Sequence, residues 1–182
     1  MLTPQPVSSL RDGAADQRWR HAMDDRSSVR TAMLGDEAAL TNLDVVDPGT
    51  GFPSVAERRP EGFFAARDPE DTLVAEISGR LAGYLTLTHP TPLPENAHVW
   101  MIHGFRVAPE FRGQGLGRAL LDEAGRTVLA RGGRKLSLRV LASNRRARAV
   151  YAAAGFVVEG VLRQEFIIDG APVDDLLLAR HL

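Results

Sequence analysis

Three glycines at alternate positions, Gly113, Gly115 and Gly117, stand between two arginines, Arg112 and Arg118, just ahead of the apolar run Leu116, Ala119, Leu120 and Leu121. Glycines spaced this way at a helix start leave backbone N–H groups bare. Those orphan donors, together with the positive end of the helix dipole, suit an anion, most often a phosphate. The flanking guanidinium groups add fixed positive charge. No Gly-Lys-Ser/Thr follows, which excludes a Walker A loop, and Arg118 occupies the third glycine position of G-x-G-x-x-G, which excludes a dinucleotide fingerprint. What remains is Arg-x-x-Gly-x-Gly, carried by Arg112, Gly115 and Gly117. The plainer reading is a tight strand-to-helix connection that needs small residues.

The elements around the loop must hold it at the end of a strand. Val99, Met101, His103, Phe105 and Val107 alternate with other residues and predict a strand that Pro109 stops. Leu116, Leu120, Ala124 and Val128 predict a helix face ending at Gly132-Gly133. Upstream, Val29 to Leu34 predicts a first strand, Asp36 a cap for a helix through Leu43, and Ser54 to Arg67 a second helical piece interrupted by Pro60. Thr72–Ile77 and Leu81–Thr88 form a hairpin around Ser78-Gly79-Arg80. Downstream come a strand at Lys135–Leu141, a helix from Arg145 to about Ala154 stopped by Gly155, and strands at Phe156–Arg163 and Val173–Ala179 turned at Asp169-Gly170. Residues 1–27 read as a polar extension with Trp19 as a packing anchor, and 28–182 as one domain. The order predicts a single-domain α/β (α+β) fold.

Composition narrows the function classes. The 182 residues carry 22 Lys plus Arg against 23 Asp plus Glu, a net charge of −1. That balance gives no reason to expect nucleic acid or an anionic membrane as partner. Cysteine is absent, which removes disulfides, thiolate metal sites and a cysteine nucleophile; no metal is expected. No run reaches the length of a membrane span. A soluble cytoplasmic protein is the expectation.

A second block, Asn144-x-x-Ala147-x-x-x-Tyr151-x-x-x-Gly155-Phe156, follows the glycine loop. With the loop and the element order, it resembles the GNAT superfamily of acetyl-CoA-dependent N-acetyltransferases over about residues 29–180. The resemblance implies a mixed, mostly antiparallel sheet of about seven strands, flanked by helices and splayed between strands four and five. It implies acetyl-CoA as co-substrate and an amine acceptor of unknown identity, and it admits a homodimer. Arg112, Gly113, Gln114, Gly115, Leu116, Gly117 and Arg118 would hold the pyrophosphate. Backbone groups of Phe105, Arg106 and Val107 would meet the pantetheine arm, with an amide of Phe105 or Val107 aimed at the thioester oxygen. Asn144 would touch the cofactor as well as cap its helix. Tyr151 falls where the family places a general acid beside the sulfur; otherwise it is a helix tyrosine packed on the sheet.

The base is where the chain departs from the family. Some members carry a glutamate four residues before the Phe105 position, and here that place holds Met101. His103 has the same strand parity as Met101 and is the candidate base, since an imidazole titrates near neutrality; it is equally a half-buried strand histidine. His98 and Glu165 are weaker candidates. Glu165, Asp169, Asp174 and Asp175 give the last hairpin a negative bias, and Arg145, Arg146 and Arg148 make a positive helix face that could meet the 3′-phosphate or only water. From a different class, a non-catalytic acyl-CoA sensor would keep the loop and lack the base.

Overall fold

The computed structural model describes residues 27–45 and 62–182. Seven strands form one sheet: β1 (Ser27–Thr31), β2 (Thr72–Ile77), β3 (Arg80–Thr88), β4 (Val99–Val107), β5 (Lys135–Leu141), β6 (Val157–Ile168) and β7 (Ala171–His181). Their spatial order is β1-β2-β3-β4-β5-β7-β6. All neighbours run antiparallel except β4 and β5. Three α-helices are present among the described residues: α1 (Glu37–Val45), α2 (Leu116–Ala130) and α3 (Arg145–Ala153).

Strand alternation sorts the side chains onto two faces. Leu73, Ala75, Leu85 and Leu87 join Leu116, Leu120, Ala124, Val128 and Tyr151 in the main core under α2 and α3. Their sequence neighbours Val74 and Tyr84 turn the other way, to a smaller core with Leu40 of α1 and Phe63. Leu120 and Val128 are fully buried, each contributing about 1.5–3 kcal/mol of apolar transfer.

Several boundaries differ from expectation. The first strand is Ser27–Thr31 rather than 29–34, because the Ala32 amide donates to the Thr72 carbonyl (2.7 Å) and the Met33 amide to Asp36 Oδ2 (2.9 Å), turning the chain out of the sheet. Asp36 sits in a 3₁₀ turn ahead of α1, and its carboxylate reaches back to Met33 instead of capping the helix as an N-cap residue. Of the second helical piece, residues 54–61 lie outside the described residues and Phe63–Ala66 is a 3₁₀ turn. Residues 1–26, with Trp19, also lie outside them. The last two strands run longer than expected, because a bulge between Leu162 and Phe166 absorbs the polar Arg163-Gln164-Glu165 and the ladder then resumes. No helix among the described residues is long and apolar enough to cross a membrane.

Candidate active site

The glycine loop makes the N-terminus of α2. Gly113 and Gly115 adopt φ of 80° and 82°, with Gly115 as the left-handed N-cap residue. A Cβ on either would meet nothing within 4 Å, so the dihedral, not crowding, calls for glycine there. Gly117 has the opposite reason: a Cβ would lie 3.3 Å from Phe105 Cζ. The amides of Gly113 through Gly117 donate to no described residue, leaving the orphan donors and dipole end that suit an anion. Arg112 Nε donates to the Val107 carbonyl (3.0 Å), and Arg118 holds Asp122 (2.8 Å) and the Ala153 carbonyl of α3. Gln114 braces the Glu110 carbonyl, and Asn144 Oδ1 caps α3 by accepting from the Ala147 amide (3.1 Å).

From this loop a gap opens into the sheet. Pairing of β4 with β5 covers Val99–Ile102 against Lys135–Leu138 and then stops, while β5 continues on β7. The Ala108 amide donates to Ala82 on the β3 side (2.8 Å). The two-residue strand period then sends the backbone groups of Arg106 toward β3 and those of Phe105 and Val107 into the gap. Tyr151 stands behind it, its ring 5.8 Å from Phe105 and 5.9 Å from Phe156. The residue is 7% exposed, and its hydroxyl makes no hydrogen bond to a described residue. Burial pushes that hydroxyl well above the ordinary tyrosine value, so it holds its proton at neutral pH.

The other side of β4 breaks the simple alternation read from the sequence. Thr86 pairs with Gly104 and Leu87 with Ile102, so His103 is an extra residue in a β-bulge. Trp100 and Ile102 face the main core before the bulge, Phe105 and Val107 after it. Met101 and His103 nevertheless share one place, as expected: both line a cleft of about 350 Å³ on the α1 side, with Arg67, Thr72, Thr86 and His89. Arg106, expected on the cofactor path, sends its side chain to this same side, donating to the carbonyls of Leu43 (3.2 Å) and Asp44 (2.6 Å) at the end of α1. Its backbone groups pair toward β3, so neither its side chain nor its backbone faces the gap.

Around that cleft lies a polar network that no spacing in the sequence announces. Asp44 is 5% exposed, accepts from the Tyr84 hydroxyl and pairs with Arg67 at 3.3 Å. Burial first, then the Asp44 charge, pushes the Tyr84 hydroxyl up. Three of the four acidic groups of the last hairpin are paired and Asp169 is exposed: Arg139 of β5 holds Asp175 (2.5 Å) and Glu165 (2.7 Å). Asp174 accepts from the Gln164 amide and Arg163, and the amide above all holds its carboxyl below the usual range. Glu165 is thereby a paired carboxylate, and His98 is exposed beside the β4–β5 start. Arg145 and Arg146 are exposed on α3, and Arg148 donates to the Ala142 carbonyl (2.9 Å). Among the described residues no group of three or more His, Asp or Glu side chains is placed to hold a metal.

With this geometry in view, residues 38–156 match the model of the acetyltransferase (GNAT) family. Over 92 residues, half of this chain, the sequence is 37% identical to an uncharacterised N-acetyltransferase of Archaeoglobus fulgidus. It is 38% identical over 116 residues, 60% of this chain, to the phosphinothricin N-acetyltransferase of Alcaligenes faecalis. The matches span 63% and 56% of these two relatives, less than two thirds of either length. A putative acetyltransferase from Salmonella typhimurium, solved with its cofactor acetyl-CoA, shares the fold at a TM-score of 0.73, with 21% identity over 87% of this chain and 95% of that one.

Proposed function

The chain belongs to the acetyltransferase (GNAT) family, and from that premise we propose that it moves an acetyl group from acetyl-CoA directly to a primary amine within a ternary complex. The observation that carries this reading is the continuous path from the unpaired amides of Gly113–Gly117 to the β4–β5 gap with the Tyr151 hydroxyl behind it. That path fits acetyl-CoA: amides and dipole for the pyrophosphate, and for the arm the edge groups of Phe105 and the amide of Val107, whose carbonyl Arg112 already holds. Acetyl-CoA supplies the activated acetyl group; the rest falls to this chain.

His103, in the cleft on the α1 side, takes the proton lost by the amine as the C–N bond forms. An amide of Phe105 or Val107 steadies the negative charge on the carbonyl oxygen. As the C–S bond breaks, Tyr151 gives its proton to the thiolate; its raised affinity for that proton keeps it in the acid form beforehand. No cysteine exists to carry an acetyl intermediate, which favours direct transfer. We place the reaction in the cytoplasm.

The test is thiol release from acetyl-CoA against polyamines, amino acids, aminoglycosides and peptides with free N-termini. Turnover that requires one amine class supports transfer. Acetyl-CoA binding without turnover favours the sensor reading that Met101 keeps open, and no binding overturns the assignment.

A further inference from the structure

The α1-side cleft has an uneven supply of unused polar groups. Its Arg67 is paired with Asp44, and its Asp71 with Arg131. Asp68 accepts from the Glu70 amide (2.9 Å) through one oxygen, and Thr72 donates to the Asp68 carbonyl (3.0 Å). His89 sets Nδ1 3.1 Å from the Val99 carbonyl and lays its ring on Trp100 at 4.1 Å. Two cleft side chains remain without a partner among the described residues: the His103 imidazole and the Thr86 hydroxyl.

Thr86 is the anomaly. It is 3% exposed, and its Oγ1 is buried with no hydrogen bond. An unmet buried hydroxyl is destabilising, and valine would fill the same volume without that cost. The backbone makes room for it too, because a Cβ on Gly104 would lie 2.8 Å from Thr86 Oγ1. The fold accommodates a hydroxyl it does not itself use.

We propose that Thr86 reads the acceptor, hydrogen-bonding an uncharged polar group, an amide or hydroxyl, carried one or two carbons from the reacting nitrogen. The inference rests on the acetyl-transfer reading above. The paired charges set the class. With Arg67 committed to Asp44, no free cation among the described residues lines the cleft to hold an amino-acid carboxylate. Asp68 is the one carboxylate among its described lining residues without a cation partner, enough for a single ammonium group and too few for a polyamine. The acceptor is a monoamine with a neutral hydrogen-bonding neighbour.

Four amines test this with acetyl-CoA as donor: L-alaninamide, L-alanine, putrescine and n-propylamine. The expected result is a kcat/KM for L-alaninamide about tenfold above n-propylamine, the worth of one good hydrogen bond. Thr86→Val brings the two within about twofold, the loss falling on KM for the amide, with the melting temperature level or raised. Thr86→Ser, which keeps the hydroxyl, retains the preference. A preference that survives Thr86→Val overturns the proposal, as does a better rate with L-alanine, putrescine or n-propylamine. Binding of acetyl-CoA by calorimetry with none of the four acetylated also overturns it. Failure to bind acetyl-CoA would instead bring down the acetyl-transfer reading itself.

Discussion

The two faces of the sheet are built by different rules. Under α2 and α3, twenty buried residues among those described, apolar but for the Tyr151 hydroxyl and the Trp100 indole N–H, form one core, and the glycine loop sits on its rim. Under α1 the core among the described residues numbers five, and beside it the chain buries Asp44 and Thr86. An apolar face tolerates substitution of one hydrophobe by another; a polar one depends on each partner being present. The glycine-loop side is made of local sequence, whereas the α1 side is a network assembled from distant residues. On the reading proposed above, specificity for the acceptor resides in the part of the molecule most sensitive to single changes.

The largest effect should come from the α1 side. Asp44→Ala leaves Arg67 and the Tyr84 hydroxyl without their partner, and breaking such a buried pair is expected to cost about 3 kcal/mol. Urea denaturation measures it; a loss below about 1 kcal/mol would mean the two faces differ less than their composition suggests. Tyr151→Phe tests the opposite face. It removes one hydroxyl that has no described partner, so stability should stay level while kcat falls about 100-fold and acetyl-CoA affinity holds. Unchanged turnover would sink the acid role.

This division also explains how far the sequence could be read. The glycine loop, Asn144 as cap, Tyr151 and Gly155-Phe156 lie in two contiguous segments, so their spacing together with the family resemblance placed them. The bulge at His103 was hidden because Trp100 and Ile102 are apolar as well as Met101, so both strand parities looked core-facing and the extra residue left no mark. The Asp44 network joins positions 23 to 62 residues apart, and no periodicity encodes such a pairing. The β6 bulge was missed for the converse reason: Arg163-Gln164-Glu165 is polar enough to resemble a strand end. Gln164 takes φ of 52°, and the Asp174 carboxylate on its amide makes that backbone tenable.

His103→Ala then asks whether the cleft carries chemistry as well as recognition. Turnover should fall about tenfold or more. Turnover within about twofold of the parent protein would remove His103 as base and leave the cleft a binding surface alone.

The smallest effect belongs to the rim of the α1 side, where Arg30 grips Asp36 through two nitrogens (2.8 and 2.9 Å) and Glu76 Oε1 through two (3.1 and 2.5 Å). The Arg30 hydrogen bond first, and the Met33 amide after it, hold the Asp36 carboxyl below its ordinary value. A carboxyl depressed in the folded state adds stability above the unfolded pKa, about pH 4 for aspartate, and loses it as the pH falls through the folded value. Asp36→Asn should therefore cost about 1 kcal/mol at pH 7, and the gap from the parent protein should close steadily below pH 4. Parallel denaturation curves at pH 7 and in acid measure the gap. A difference that stays constant into acid would show that the turn is held by the Met33 contact, which an asparagine can also accept, and not by the charge.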